Sequence, residues 1–414
     1  MAVLFTASVC TAVEPPPLPP VRASEQTAPG WAWLLDRAWT RQRRDEAQAA
    51  RGAVLQARGQ ALATPFAGPP TVGLDVRRDL PPGARLPGTD TVGQRGRNEL
   101  EPGVSVPLWL PGQREAGRAT LTEEEAARTA AATAGRWRLA GELREAAAAL
   151  ALADARWQAE RAREAGAAAL EDDVRRRVQA GDLAPADALL AAEERLAAAM
   201  AAREAHGLAQ SARARWLALT GWSGPLPPAE VPLPPLPDDD HPALAEARAA
   251  VGVAQARARE AALLRRDAPT LSMAARFDRE GYGTGYRNTV RVGIALPLDT
   301  EARNAPRLAA AEAERLDAEL ALQAVRRQRQ LEREQALAER QAADDALALA
   351  AERLAVAGRL DAAVDRAWRA GERGLPERLR VRALAREAEW AHENARRQAD
   401  RAAARWNQAI GAMP

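Results

Sequence analysis

The chain has few of the residues from which catalytic and metal sites are built. Cysteine occurs once, at Cys10, which excludes an internal disulfide framework and a zinc site built on cysteines. The three histidines, His206, His241 and His392, are far apart in the sequence and lack the close spacing of an HExxH-type ligand pair. No nucleophile-elbow motif or similar signature of a hydrolytic triad is visible. The sequence therefore predicts that the protein is not an enzyme and that it uses no metal or cofactor.

Lysine is absent, and long apolar runs are absent too. Arginine supplies every fixed positive side-chain charge, and 58 basic against 56 acidic residues leave a formal net charge of +2. The two signs are interspersed, whereas a nucleic-acid-binding protein normally carries a basic stripe or a clear basic excess. No apolar run reaches the roughly 18 residues of a transmembrane helix. Nucleic acid is therefore not an expected partner, and no transmembrane helix is predicted.

The residues that are abundant favour helices. The chain has 414 residues, of which 47% are hydrophobic, 28% charged and only 4% aromatic, and its mean hydropathy is −0.37. Alanine, leucine, glutamate and arginine, all strong helix formers, supply much of the hydrophobic and charged totals. We therefore expect long helices that pack through small side chains.

Residues 1–30 form a signal-like, proline-rich N-terminal segment. Residues 1–13 are mostly apolar, and proline dominates residues 14–21. The segment resembles the end of a secretory signal peptide but lacks the positively charged beginning, so either the coding start lies further upstream or the segment is no signal. Cys10 follows Ala-Ser-Val, a pattern like a bacterial lipobox with valine where a small residue belongs. Lipidation of Cys10 and an ordinary cysteine inside a cleaved signal are the two interpretations.

An internal repeat organises the rest of the chain, because three short motifs recur at one offset of 190 residues. They are GVSVPL at residues 103–108 and GIALPL at 293–298, AGD at 180–182 and AGE at 370–372, and ARW at 214–216 and 404–406. One offset at three sites indicates a duplication. We expect a first structural repeat at residues 31–224, a proline-rich linker at 225–240 and a second structural repeat at 241–414.

Four stretches alternate apolar and polar residues with the period of two that is typical of strands. Their apolar positions are Val72, Leu74 and Val76; Val104, Val106, Leu108 and Leu110; Leu271, Met273, Ala275 and Phe277; and Val290, Val292, Ile294, Leu296 and Leu298. The pattern predicts one β-hairpin at about 70–110, with a loop over residues 79–102, and a second at about 269–298.

Two very long helices are predicted, over about 114–179 and 307–369. At a rise of about 1.5 Å per residue, each spans roughly 100 Å. Each ends at a glycine suited to a left-handed helix stop, and Pro185 and Pro376 follow where a new helix can begin. Each repeat is therefore expected to be a long antiparallel helical hairpin, with its tip near residue 181 or 371 and a β-hairpin at the far end. Four strands cannot close a transmembrane barrel, for which about eight are the minimum, so several chains would have to share one.

This plan resembles the TolC-type outer-membrane efflux proteins. The GV-x-V-PL strands, the two AGD/E turns, HPAL at residues 241–244 and DAPTL at 267–271 are all similar to that family. The resemblance covers roughly residues 31–411. The short length is similar to members that serve heavy-metal cation exporters of the cobalt-zinc-cadmium type.

The resemblance implies a mainly α fold with a small β part, assembled as a homotrimer. Three chains would build a transmembrane β-barrel of twelve strands in the outer-membrane lipid and an α-barrel of coiled-coil hairpins in the periplasm of a Gram-negative bacterium. Each chain would be part of the passive exit duct of a tripartite efflux system. A periplasmic adaptor (membrane fusion protein) and an inner-membrane pump of the RND type would supply substrate and energy. Heavy-metal cations or drugs are the expected substrates, and type I protein secretion is an alternative.

The resemblance also assigns roles to the two glycine turns, which form periplasmic tips where the hairpins of an adaptor dock. Carried over by position, the docking tips are residues 178–187 and 368–377. The residues singled out within them are Gly181, Asp182, Leu183, Gly371, Glu372 and Arg373. A plain helix C-cap is the structural alternative for each glycine, and both roles are compatible.

Arg373, Glu377 and Arg380 match positions that gate the closed tunnel in the family, where one arginine and two acidic residues are found. Glu377 keeps an acid, but Arg380 reverses the charge of the second. One hypothesis is a salt-bridge lock from Glu377 to Arg373 or Arg380 of a neighbouring chain. The alternative is that all three are solvated helix charges.

Trp216 and Trp406 lie at equivalent repeat positions and are expected to be packing anchors, with interfacial anchoring as the alternative. Trp109, at a strand end, would suit an aromatic belt at a membrane interface. The remaining alternative to a channel is a periplasmic adaptor or coiled-coil scaffold. An adaptor would carry further domains around one helical hairpin, and a scaffold would not need four alternating strands, so both are disfavoured.

Overall fold

A computed structural model describes residues 28–78, 97–237, 240–281, 284–298 and 300–414. The described chain is mainly helical and includes one small sheet. The helices are α1 (Trp31–Arg41), α2 (Arg44–Ala63), α3 (Gln113–Ala180), α4 (Pro185–Thr220), α5 (Pro242–Leu263), α6 (Glu301–Arg369) and α7 (Leu375–Ala409). The strands are β1 (Thr71–Arg78), β2 (Asn98–Pro107), β3 (Thr270–Arg279) and β4 (Arg287–Ala295).

The long helices pack in antiparallel pairs, α3 with α4 and α6 with α7. Ion pairs fix the direction of the first pair, since Arg163 of α3 meets Glu194 of α4 at 3.2 Å and Asp154 meets Arg213 at 2.9 Å. The contact positions of α4 are alanines: Ala191, Ala198, Ala202, Ala205 and Ala209 are all buried. Their spacing follows the seam of a coiled coil. Small side chains therefore bring these helices close together, as the composition predicted.

Both hairpin turns have the glycine geometry expected from the sequence. Gly181 has φ +86° and Gly371 has φ +78°, a conformation that residues with a side chain rarely adopt. After the first turn, the N–H of Asp182 donates to the carbonyl of Arg177 at 2.9 Å, which closes α3. Glu372 donates to Ala367 in the same way at the end of α6, also at 2.9 Å. The left-handed helix stops predicted at these glycines are confirmed.

The four strands form one antiparallel sheet in the order β1-β2-β3-β4. Each hairpin supplies two neighbouring strands, and the pairing of β2 with β3 joins the two hairpins. In that central pair Val104 lies opposite Met273 and Ser105 opposite Ser272. Because β2 leads into α3, the sheet and the helical tips lie at opposite ends of a helix of 68 residues.

The structure corrects the start of one strand. Residues 98–102, expected to be loop, belong to β2 and pair with residues 74–78 of β1. Glu99 and Glu101 keep the alternation, but Pro102 has no N–H to donate in a central strand, and this is why the start of the strand is hard to recognise. Both acids have partners in the sheet, since Glu99 meets Arg276 at 3.0 Å and Glu101 meets Arg291 at 3.3 Å.

The structure also moves the start of α6 to Glu301, so that Pro306 lies inside the helix rather than before it. The first turn is fastened to the segment after α5. The side-chain amide of Asn304 donates to the Asp267 carboxylate at 3.0 Å, and Thr300 accepts the backbone N–H of Asp267 at 3.1 Å. These tertiary contacts stabilise the early start in spite of the proline.

The predicted packing role of Trp216 and Trp406 is confirmed. Trp216 is 2% exposed and joins residues of α1 and α3 in the largest core cluster. Trp406 is 3% exposed, and its indole N–H donates to the carbonyl of Leu233 at 2.7 Å. The neighbouring Asn407 accepts the N–H of Leu233 at 2.9 Å. Together they hold the proline-rich stretch against the end of α7.

Candidate functional site

One face of the sheet is apolar and largely uncovered in the single chain. Residues that lie opposite one another on neighbouring strands share a face. On this face, called here the apolar face, the registers place Val72, Leu74, Val76, Leu100, Pro102, Val104, Val106, Leu271, Met273, Ala275, Phe277, Val290, Val292 and Ile294. Val72 is 83% exposed and Val292 is 67% exposed. A soluble sheet buries such a face, so this one requires an apolar environment or a covering partner.

The opposite face, called here the polar face, carries ion pairs that run across the strands. Arg276 meets Glu99 at 3.0 Å, and Arg287 meets Asp278 at 3.1 Å. Glu99 and Asp278 are each only 4% exposed although both are acidic. These cross-strand pairs offset the cost of enclosing the charges and leave a face suited to water. The sheet is therefore apolar on one side and charged on the other.

Both outer strands are open along one edge within the described part of the chain. β1 pairs only with β2, and β4 pairs only with β3. An open edge presents a row of backbone donors and acceptors that can pair with another strand. The sheet can therefore be extended on both sides by copies of itself.

The structure brings the two predicted tips together at one end of the helices. Val174 of α3, Ala191 of α4, and Trp368 and Leu375 of the second hairpin form one buried cluster, called here the tip cluster. Leu183 packs against it and is partly buried. The other predicted tip residues, Gly181, Asp182, Gly371, Glu372 and Arg373, are exposed. They form a surface next to the tip cluster that a partner could contact.

Trp368 is the centre of this cluster, a role that sequence analysis missed. It is 3% exposed and contacts the guanidinium groups of Arg177 and Arg378, whose central carbons are 5.2 and 5.6 Å from the ring centre. Burial lowers the pKa of Arg378, and Asp365 opposes that shift from 2.7 Å. From the sequence, Trp368 is recognisable only as the first residue of the second docking tip, 368–377. A single large aromatic residue three positions before a glycine stop was the available signal.

The candidate gate residues lie close together on the second hairpin. Arg373 and Glu377 form an ion pair at 2.9 Å inside one chain. Arg380 is exposed one turn further along α7, and no ion pair of Arg380 is present among the described residues. The single chain therefore pairs Glu377 within its own helix start and leaves Arg380 facing outward.

A second contact between the two hairpins lies further from the tips and is centred on Glu194 of α4. Its carboxylate meets Arg163 of α3 at 3.2 Å and Arg386 of α7 at 3.0 Å. The hydrogen bond to Glu194 raises the pKa of Arg163. Burial lowers the pKa of Arg386, while Glu194 counteracts that effect. The tip cluster and the Glu194 carboxylate both join the α3–α4 hairpin to the α6–α7 hairpin.

His241 lies in the packed interior, 3% exposed, and caps α5 by accepting the N–H of Ala243 at Nδ1. Its ring stacks edge-on against Trp137 with the centres 4.9 Å apart. Burial, with a further contribution from Arg329, lowers its pKa to about 4. In the described ranges no group of three or more His, Cys, Asp or Glu residues is placed to hold a metal ion. Cys10 lies outside the described residues.

Trp109 lies just beyond β2 rather than in it, and its indole N–H donates to the carbonyl of Thr64 at 3.2 Å. It therefore contacts the end of α2. None of the helices described here has both the length and the apolar character needed to cross a bilayer.

No protein-family model matches the chain, and no curated protein matches it. Solved structures do resemble it. The outer membrane channel CmeC of Campylobacter jejuni aligns with a TM-score of 0.72 at 14% identity, covering 92% of this chain and 85% of its own. CusC, described in terms of transmembrane channel formation, aligns with a TM-score of 0.72 at 15% identity, covering 97% and 99%. The open state of the outer membrane channel MtrE of Neisseria gonorrhoeae aligns with a TM-score of 0.69 at 16% identity, covering 93% and 89%.

These similarities establish the fold. The mainly helical architecture with one small antiparallel sheet, expected from the sequence, is confirmed and is shared with channel proteins over nearly the whole chain.

Proposed function

We propose that this chain is the outer-membrane channel of a tripartite efflux system and forms its passive exit duct. The observation that carries the proposal is the sheet at the far end of α3 from the tips, with an exposed apolar face and an ion-paired polar face. A barrel in a membrane needs this division, because lipid covers its outside and water fills its inside. The long helices then extend from the outer membrane into the periplasm.

The open edges of the sheet support assembly from several copies. Three copies of a four-stranded sheet give a twelve-stranded barrel, in which β1 of one copy pairs with β4 of the next. Closure removes every edge, and this is the condition for a sheet to span a bilayer. We therefore propose a homotrimer.

Exposed apolar stripes on the long helices support the same assembly. Leu189, Leu196 and Met200 form such a stripe on α4, and Leu349, Val356 and Leu360 form one on α6. Both stripes have heptad-like spacing and lie near the tip end of their helices. In the trimer the α4 stripe of one copy packs on the α6 stripe of the next and continues the α-barrel.

The finer assignments are parts of the same proposal. Residues 31–224 and 241–414 act as two related repeats joined by the linker at 225–240. The tip residues Gly181, Asp182, Leu183, Gly371, Glu372 and Arg373 receive the hairpins of a periplasmic adaptor, which connects the channel to an inner-membrane pump of the RND type. Arg373, Glu377 and Arg380 narrow the tunnel. Heavy-metal cations or drugs are the proposed cargo.

The test of the channel itself is membrane fractionation followed by the mass of the detergent-extracted particle. We expect a trimer in the outer-membrane fraction. A monomer in the soluble or inner-membrane fraction would remove the basis for a shared barrel.

A pair of neighbouring substitutions makes this test specific for the sheet faces. Val290→Arg places a charge on the apolar face and is expected to lower outer-membrane recovery, since such a charge costs about 2–4 kcal/mol near the bilayer midplane. Thr289→Arg places the same charge on the polar face, opposite Arg276, and is expected to lower recovery much less than Val290→Arg does. Equal effects of the two variants would contradict the assignment of faces.

A further inference from the structure

The apolar face ends in a row of polar residues at the loop end of the strands. Two residues closer to the loop end than Val76, Leu100 and Phe277, Arg78 lies opposite Asn98, and Asn98 lies opposite Arg279. Arg279 lies over the ring of Tyr286, with its guanidinium carbon 5.4 Å from the ring centre. Arg78, Asn98, Arg279 and Tyr286 are called here the arginine rim.

The charge of the arginine rim is confined to this one edge of the apolar face. Arg78 and Arg279 are the only arginines on that face of the described strands, and no acidic residue lies on it. Every acidic residue in the strand registers lies on the polar face, where Glu99 and Asp278 meet other arginines. Within the described strands, the apolar face is thus interrupted only by Asn288, opposite Phe277, and is bordered at this edge by the two arginines.

The spacing of the arginine rim allows an anionic group to be recognised by more than one arginine. Arg78 and Arg279 are separated by the single strand β2, so their backbones lie about 10 Å apart. Arg78 is exposed, and the Tyr286 ring is 57% exposed. Arginine binds phosphate oxygens through two parallel N–H donors, and tyrosine favours the boundary between hydrocarbon and water.

We propose that the arginine rim binds the phosphate groups of anionic membrane lipids, at the level where hydrocarbon gives way to headgroups. This inference rests on the proposed function, since it takes the apolar face to contact lipid. In a trimer the arginine rim repeats three times around the barrel. It fixes the depth of the barrel in the leaflet whose headgroups it contacts. The occupant is a lipid because, among the residues that the structure describes, the two arginines lie on the apolar face and continue it.

The test uses the purified full-length chain in detergent micelles that contain phosphatidylglycerol and phosphatidylcholine, with retained lipid identified by native mass spectrometry. We expect a preference for phosphatidylglycerol that falls about fivefold when one interfacial arginine is removed, as in Arg78→Gln. Arg77→Gln is the matched control, because it removes a neighbouring charge from the opposite face. Arg78→Lys keeps the charge and is expected to keep the preference, and Arg78→Gln with Arg279→Gln is expected to lower it further.

The outcomes separate this inference from the proposed function. Equal retention of the two lipids by the unaltered chain, or equal losses in Arg78→Gln and Arg77→Gln, would overturn the arginine rim while leaving the channel proposal standing. Displacement of the lipid by excess inorganic phosphate would overturn the assignment to a lipid. A chain that retains neither lipid would contradict the lipid contact of the apolar face, and with it the proposed function.

Discussion

Arg373 donates through Nη1 to both carboxylate oxygens of Glu377, at 3.0 and 2.9 Å, within a single chain. The two side chains are 56% and 34% exposed. An exposed pair one helical turn apart contributes only about 0.3–0.5 kcal/mol to stability. Glu377 can therefore leave Arg373 and pair with an arginine of a neighbouring chain when one comes close.

If Glu377 closes the tunnel in the assembled channel, Glu377→Ala will raise the single-channel conductance in planar bilayers. The fold should be unaffected because the lost pair is weak. Glu387→Ala is the control, since Glu387 lies on the same helix, away from the tip, and meets Arg353 at 2.6 Å. It should leave the conductance unchanged. An unchanged conductance in Glu377→Ala would refute the gate.

A second prediction concerns the backbone at the second tip. Gly371→Val forces a β-branched residue into a left-handed conformation, with φ +78°, at a cost of about 1–3 kcal/mol. Because this strain is confined to a tip, trimers should persist while co-purification with the adaptor is lost. Gly371→Asn should retain the adaptor, since asparagine tolerates this conformation better. Intact co-purification of the valine variant would refute the docking role of the turn.

The tip cluster gives a third prediction. Trp368→Ala removes a buried ring that joins both hairpins, a change that costs about 3–5 kcal/mol in a packed core. We expect faster proteolysis and faster hydrogen exchange at residues 174–191 and 368–375, with the far ends of the helices unaffected.

Trp368→Phe separates the parts of this effect. The indole N–H of Trp368 is buried and has no hydrogen-bond partner, so phenylalanine loses no hydrogen bond. It should keep most of the protection and lose only packing and part of the attraction to Arg177 and Arg378. Equal protection of the tips in the unaltered chain and in Trp368→Ala would show that the tip cluster does not hold the hairpins together.

A fourth prediction follows from the buried imidazole of His241. Its folded pKa of about 4 lies below the ordinary value of 6.5, so between these values the unfolded chain binds a proton that the folded chain does not. The contribution of the neutral ring is therefore complete above pH 6.5 and is lost as the pH falls towards 4, by at most about 3 kcal/mol.

The measurement is urea unfolding at several pH values for the unaltered chain and for His241→Asn. Asparagine can accept the N–H of Ala243 as an N-cap but does not titrate. Carboxylates titrate in both proteins, so the difference between the two curves isolates the histidine. Parallel curves would contradict the prediction.

Local signals were sufficient for much of the fold. Gly181 and Gly371 each follow a long run of helix-forming residues, and only glycine fits a left-handed stop without strain. The alternation at Val72, Leu74 and Val76 identified a strand because its period is a property of the backbone alone. Both signals lie within a few residues of the structure that they specify.

Contacts between distant segments could not be predicted in the same way. Nothing in the neighbourhood of Val104 indicates that Met273 lies opposite it, and nothing near Trp368 indicates that Val174 and Ala191 enclose it. The predicted start of β2 was wrong because Pro102 and Asn98 are residue types typical of loops, although both lie within the strand. The roles of the tip and gate residues, and the division into repeats, stay predictions.

The open edges of β1 and β4 have a consequence for the life of a newly made chain. Unpaired edges accept any extended segment, including those of other unfinished copies. An unassembled chain is therefore prone to aggregation, and the risk increases with the time before assembly and with the local concentration of other unassembled chains. Speed of association, more than the stability finally reached, would then decide how much usable protein a cell obtains.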